Sequence, residues 1–287
     1  VREAITQSEL ATFSRCEERH NLRYNELRTP FQNHPALRMG SAFHAGIEHQ
    51  SVEYAIRACR GGDPDWGHFE GASSAIQEAT VAAMVGGALS RWSDWPDKHE
   101  VKFSIPLRNP KTKRPSRKHS LQGVIDGVWH GDEVVLGEWK TAAQVTNDYM
   151  QRLEIDFQVS TYMWAASELF GVPVRKMVYR VVKKPTIRQR KTESVLEYIG
   201  RIHADYEERP DHYFFETLVE RTDEQLDDWA AQAWATHQRI LQIRNGATAI
   251  RSTQSCLNRG RCPYFDLCVG AVTKDAFRVL EQRHTEL

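Results

Sequence analysis

The chain has 287 residues, enough for one large domain or a domain with an appendage, and 40% hydrophobic residues with eight tryptophans support a substantial core. Basic and acidic residues number 38 each, so the formal net charge is zero and any binding to nucleic acid must come from local patches or bound metal. There is no apolar run of about eighteen residues and no signal-peptide pattern, and five cysteines, an odd number, do not make a secreted disulfide framework; the expectation is a soluble, cytoplasmic protein with no membrane partner.

Thr6 and Glu9 match a capping box ahead of Leu10 and Phe13, so a helix begins near Thr6 and carries Cys16. The following stretch, through Pro30 and Pro35, reads as loop. From Gly40 to Glu48 the composition turns helical, and Gly40, His44 and Glu48 fall on one stripe at four-residue spacing. Small residues beside His44 let another chain approach closely. An alanine-rich helix runs from about Gly71 to Trp92, and Val101 to Leu107 alternates as a strand. Arg108 to Lys118 is then a basic, proline-containing loop that leads into the strand of Asp126, placed to steer phosphate toward it.

Gly123 to Thr141 reads as two strands joined by the polar turn His130-Gly131-Asp132-Glu133. Asp126 shares a face with Val124 and Val128, while Leu136, Glu138 and Lys140 share a face on the second strand, because side chains two apart point the same way. A turn centred on Asp132 places Asp126 opposite Glu138. Two carboxylates that close repel unless a cation lies between them, and Mg²⁺ suits one or two carboxylates plus water and phosphate oxygens. Taken alone, the pair also fits a solvated hairpin face.

A helix is expected from about Asp148 to Leu169, with Leu153, Phe157, Thr161 and Trp164 buried and Gln158 and Tyr162 one turn apart on an adjacent face. Val172 to Val182 then reads as a strand, so strand, helix and strand alternate as in a sheet covered by helices. The basic segment Lys183 to Lys191 comes next, and then helices near Thr192 to Glu208 and Thr222 to Asn245, the second with a Thr222–Gln225 capping box. Near the end Cys256, Cys262 and Cys268 recur at six-residue steps among glycine and proline, which suits a metal centre with Cys16 as fourth ligand, either an iron–sulfur cluster or a structural zinc. Cys59 is left as an inert thiol.

These motifs together resemble the PD-(D/E)XK nuclease superfamily, in particular its RecB-like branch of iron–sulfur nucleases from recombination, CRISPR adaptation and phage replication. The likeness spans almost the whole chain. Gly40-x-x-x-His44 is similar to the branch's first motif, Asp126 to its second, Glu138-Trp139-Lys140 to its third and Gln158-x-x-x-Tyr162 to its fourth. Cys16, Cys256, Cys262 and Cys268 resemble the one-plus-three arrangement that holds a 4Fe-4S cluster, although many relatives have a closer pair among the last three.

The resemblance implies an α/β fold in which a central mixed β-sheet is flanked by helices, a restriction-endonuclease-like core over about 37–185. It implies a single nuclease domain over 1–287, with the N-terminal helix (5–25) and the C-terminal segment (192–287) forming a helical subdomain joined by the cysteine-ligated cluster. Asp126 and Glu138 would hold Mg²⁺ or Mn²⁺, with His44 as a third ligand and the Trp139 carbonyl as a backbone ligand, and Lys140 would sit beside the attacking water. Gln158, Tyr162, Lys183, Lys184, Arg188, Arg190 and Lys191 would contact DNA. The implied activity is metal-dependent exonuclease cleavage of single strands or DNA ends, in a bacterial or phage-infected cell. A DNA-trimming nuclease of CRISPR adaptation and a catalytically silent DNA-binding module are the alternatives. No G-x-x-x-x-G-K-[ST] signature is present, so a helicase partner, like a recombinase or integrase, would be a separate chain.

Overall fold

The structure, a computed structural model, describes residues 2–31, 35–61, 72–258 and 260–284. The chain opens with strand β1, Glu3–Thr6, and Thr6 caps helix α1, Gln7–Arg15, by accepting the Glu9 N–H. α1 stops where Cys16 becomes extended, and a short helix α2, Glu17–His20, starts at once. The N-terminal helix expected over 5–25 is therefore broken at Cys16, and the stretch expected as loop holds strand β2, Arg28–Pro30. Helix α3, Pro35–Glu48, carries the His44 stripe, and α4, Val52–Arg60, which hydropathy did not reveal, is capped by Ser51. The alanine-rich helix is α5, Ala72–Arg91; Gly71, its expected start, lies outside the described residues. Gly87 is needed there for packing, since a Cβ would lie 2.3 Å from the Phe214 ring.

Strands β3, Lys98–Arg108, and β4, Pro115–His130, form a long antiparallel hairpin. Much of the basic segment expected as loop belongs to these strands, and the turn is tightened by the Asn109 side chain, which accepts the Lys111 and Thr112 N–H groups. Strand β5, Val134–Ala142, pairs with the end of β4 from Gly127↔Gly137 to His130↔Val134, the register centred on Asp132. The single helix expected next is divided. Helix α6, Asn147–Gln151, and a 3-10 turn precede α7, Phe157–Phe170, because Asp156 is extended and its carboxylate caps α7 at the Gln158 and Val159 N–H groups. Strand β6, Lys176–Lys183, then runs parallel to β5. Helices α8, Val195–Glu208, and α9, Pro210–Tyr213, lead into strand β7, Phe214–Glu220, antiparallel to β6. Helix α10, Asp223–Arg244, begins with the Thr222–Gln225 capping box. Helix α11, Phe265–Cys268, and strand β8, Phe277–Val279, complete the elements, β8 pairing with β2.

The sheet is mixed, in the order β1-β4-β5-β6-β7, with β3 on the other edge of β4. Strand alternation sends Leu136, Met177 and Val181 into one core with Leu10, Val159, Met163 and Trp229, while Trp139 and Val182 enter a second core with Phe43, Met84, Ile202 and Phe214. Helices α1, α7 and α10 thus cover one face and α3, α5 and α8 the other, so the helix-flanked mixed sheet is present.

The expected cysteine clamp is not. Among the described residues the one group of three metal-ligating side chains lying within 4.8 Å of one another contains no cysteine. All five cysteines are free thiols. Cys16 Sγ accepts the Ser252 N–H, and Cys256 Sγ lies 3.6 Å from the Ser252 carbonyl. The 4Fe-4S cluster and the structural zinc, and with them a cluster joining the chain's two ends, are therefore set aside. Other bonds join those ends: the β2–β8 pair, Arg239 with Glu17, and the buried Glu9, which takes His20, Arg244 and His284. Leu22, Tyr264 and Phe277 close a small apolar core between them.

Candidate active site

Strand β4 is held along one edge by β3 and along the other by β1 at residues 119–122 and by β5 at residues 127–130. Between those two partners that edge is open, and Asp126 sits in the opening. The β3 ladder also breaks there. Its register steps from His99↔Gly127 to Val101↔Ile125, passing over Glu100 and Asp126, and Glu100 has φ +49°, uncommon for a residue with a side chain. Freed from the ladder, the Glu100 and Asp126 carboxylates and the His44 imidazole come within 4.8 Å of one another. His44 is delivered by α3, with Nδ1 3.5 Å from Asp126 Oδ2. The same Asp126 oxygen accepts the Trp139 N–H at 2.9 Å, which fixes the carboxylate against β5.

Glu138 is buried on the face of β5 that Lys140 shares. Its Oε1 accepts from Gln158 Nε2 at 2.9 Å and from Lys140 Nζ, while its Oε2 is buried without a hydrogen-bond partner among the described residues. Burial and the Asp126 charge push the Glu138 carboxyl well above the usual carboxylate range, against the pull of Lys140. Burial alone would lower the Lys140 pKa, but Glu138 and Asp126 outweigh it and keep the ammonium charged. Glu100 is raised to about 7 by burial, Asp126 and Glu48, and burial lowers His44 despite Asp126. Tyr162, one turn beyond Gln158 on α7, is raised by burial and by Glu138.

Crowded carboxylates with raised pKa values and one orphaned buried oxygen make a pocket of negative charge that a cation relieves. The donor set, carboxylate oxygens with one imidazole, fits Mg²⁺ or Mn²⁺.

The structure brings together His44, Asp126, Glu138, Lys140, Gln158 and Tyr162, all singled out in the sequence. Trp139 approaches Asp126 through its N–H, and its ring is buried on the opposite face, stacked on Trp95. The basic segment after β6 is a separate region at the strand end, where Lys184 N–H bonds the Ala142 carbonyl. Lys183 Nζ lies 2.9 Å from His212 Nε2, and Lys184 is half-buried with its pKa lowered by burial, whereas Arg188, Arg190 and Lys191 are exposed. The residue that sequence reasoning missed is Glu100. Its signal was register: extending the β3–β4 hairpin pairs it with Asp126.

Residues 4–269 match the family model of the PD-(D/E)XK nuclease superfamily. No curated protein matches the chain. A solved structure, the "Putative exonuclease" from Eubacterium rectale, shares 13% identity over 94% of this chain and 89% of that chain, with a TM-score of 0.54, a likeness of fold. A second, SSO0001, is 11% identical over 93% of this chain and 97% of that chain, with a TM-score of 0.36. The match is to the superfamily, and the more specific RecB-like, iron–sulfur assignment is corrected: among the described residues the clustered side chains able to hold a metal are His44, Glu100 and Asp126, without sulfur.

Proposed function

We propose, from the premise that the chain belongs to the PD-(D/E)XK nuclease superfamily, that it is a metal-dependent deoxyribonuclease acting as an exonuclease on single strands or DNA ends. Its nuclease domain has its core over about 37–185. The support is the meeting of Asp126, Glu100 and His44 beside the Glu138–Lys140 pair, with Glu138 Oε2 left unpartnered.

Asp126, Glu138 and His44 would hold Mg²⁺ or Mn²⁺, with Glu100 as a further carboxylate. When bound, the cation supplies Lewis-acid polarisation of the phosphate and lowers the pKa of the attacking water. Lys140 orients that water and stabilises the charge that grows on the phosphoryl oxygens as the water oxygen bonds phosphorus and the ester P–O bond breaks. Gln158 holds the Glu138 carboxylate in place, and Trp139 N–H does the same for Asp126. These backbone and side-chain bonds pre-set the acids before substrate arrives. Arg188, Arg190 and Lys191, exposed at the end of β6, contact the DNA backbone without reading its sequence. No helix among the described residues is long and apolar enough to cross a membrane.

The test is incubation of the protein with end-labelled single- and double-stranded DNA in Mg²⁺, in Mn²⁺ and in chelator. Stepwise shortening from an end, lost in chelator, is expected. DNA left intact under every metal condition, or shortened equally in chelator, would reject the proposal.

A further inference from the structure

Beside Lys140 and Gln158 a groove of about 850 Å³ opens between α1 and the α6–α7 junction, and Ser252, Ser255, Cys256 and the run Gly260 to Pro263 form part of its wall. Its lining is strongly unbalanced in charge. Arg15, Arg19, Arg152, Arg261 and Lys140 face one acid, Asp156, whose carboxylate is already committed to the α7 N-terminus. In a chain of zero net charge this excess is local. Arg261 is paired with Asp266 and Lys140 with Glu138, whereas Arg19 and Arg152 make no ion pair among the described residues. Arg152 instead lies over the Tyr149 ring, 5.4 Å from its centroid, and both residues line the groove. A guanidinium laid on an aromatic ring is a flat platform for a base, and arginines without carboxylate partners are ready for phosphate. The platform is useful only to an unstacked base, since bases within a duplex already stack on their neighbours.

We infer that this groove binds a single-stranded stretch of the polynucleotide next to the cleavage site, with Arg19 and Arg152 on successive phosphates and Tyr149 stacked on a base. The inference rests on the nuclease function proposed for the adjoining carboxylates, and it assigns substrate contacts to a region distinct from the basic loop after β6. The groove lies among α1, α6 and α7, whereas Ile187 of that loop packs with the core under α3, α5 and α8.

The experiment uses the full chain carrying Asp126→Asn, so that binding is read without cleavage, and fluorescent oligo-dT or a blunt duplex as probe. Combining Arg19→Gln with Arg152→Gln is expected to flatten the plot of log affinity against log salt for oligo-dT by about 1.4, roughly 0.7 for each single-strand phosphate contact. Tyr149→Leu is expected to weaken oligo-dT binding by about 5- to 150-fold with the slope unchanged, the effect of losing one stacked base. Binding of the blunt duplex should change little in either. Circular dichroism checks that each variant is folded, and Arg57→Gln with Arg91→Gln, exposed on α4 and α5, serves as a comparison outside the groove and the basic loop. An unchanged slope and oligo-dT affinity in both groove variants would overturn the inference. If the protein with Asp126 intact shortens DNA but the groove variants bind normally, the groove fails and the nuclease function stands. If it shortens no DNA while the groove variants still lose oligo-dT binding, the nuclease function fails and the groove stands.

Discussion

Glu100 and Asp126 lie opposite each other on β3 and β4 at the point where both leave the ladder, and their carboxylates meet His44 within 4.8 Å. A positive φ at Glu100 is a strained conformation retained where the surroundings enforce it, and strain of this kind concentrates at working sites. Glu100→Gln keeps the shape and removes the charge. Mn²⁺ affinity, measured by isothermal titration, should fall by at least about tenfold, the lower range for disturbing a metal site. Unchanged affinity would remove Glu100 from the ligand set.

Gln158 touches Glu138 and is assigned no bond-making step, so its loss should act through position. Gln158→Ala should lower kcat by about 10- to 100-fold, the usual effect of removing a group that orients a ligand, with KM for DNA little changed. A rise in KM at constant kcat would show that Gln158 binds substrate instead.

Gly87 offers a test of packing on the α5–β7 side. In an exposed helix, Gly→Ala stabilises by about 1 kcal/mol. Here the added methyl meets the Phe214 ring at 2.3 Å, so Gly87→Ala should cost about 1–3 kcal/mol. Denaturant unfolding reads the sign directly, and a raised midpoint would refute the packing.

Much of the site was legible in the sequence. Asp126 and Glu138 face one opening because strand alternation and a turn centred on Asp132 dictate it, and Gln158 reaches Glu138 from a helix start that Asp156 caps. Glu100 was legible only through the register that pairs it with Asp126, because local residue type does not encode its positive φ and the regular alternation is plain only from Val101 onward. β7 was hidden for a related reason: its burial alternates only in part along an edge strand, between two helices of stronger signal. The cysteines misled because even spacing suggests a common ligand, whereas Cys16 and Cys256 are occupied by the backbone around Ser252.

Acid should weaken the protein at a defined place. Burial would raise the buried Glu9, but His20, His284 and Arg244 reverse this and hold it at about 2, while His237 is held at about 4 by burial with His119 and Arg244 nearby. Both folded-state values lie below the ordinary ones of 4.5 and 6.5, so as pH falls the unfolded chain takes up each proton first. The share of stability these two groups contribute is complete above pH about 6.5, declines toward pH 4 as His237 titrates, and declines again between about 4.5 and 2 as Glu9 does. Urea midpoints at a series of pH values check this, and His237→Phe should flatten the upper step. A His237→Phe profile parallel to that of the unaltered chain from pH 7 to pH 4 would contradict it.

DNA hydrolysis is assigned to Asp126, Glu138 and Lys140. Single-turnover cleavage of end-labelled single-stranded DNA in Mn²⁺, run side by side for the unaltered chain and Asp126→Ala with DNA affinity measured on both, tests it most directly. The expected result is cleavage by the first, none by the second, and similar affinity. Equal cleavage rates would place the hydrolysis elsewhere than at Asp126.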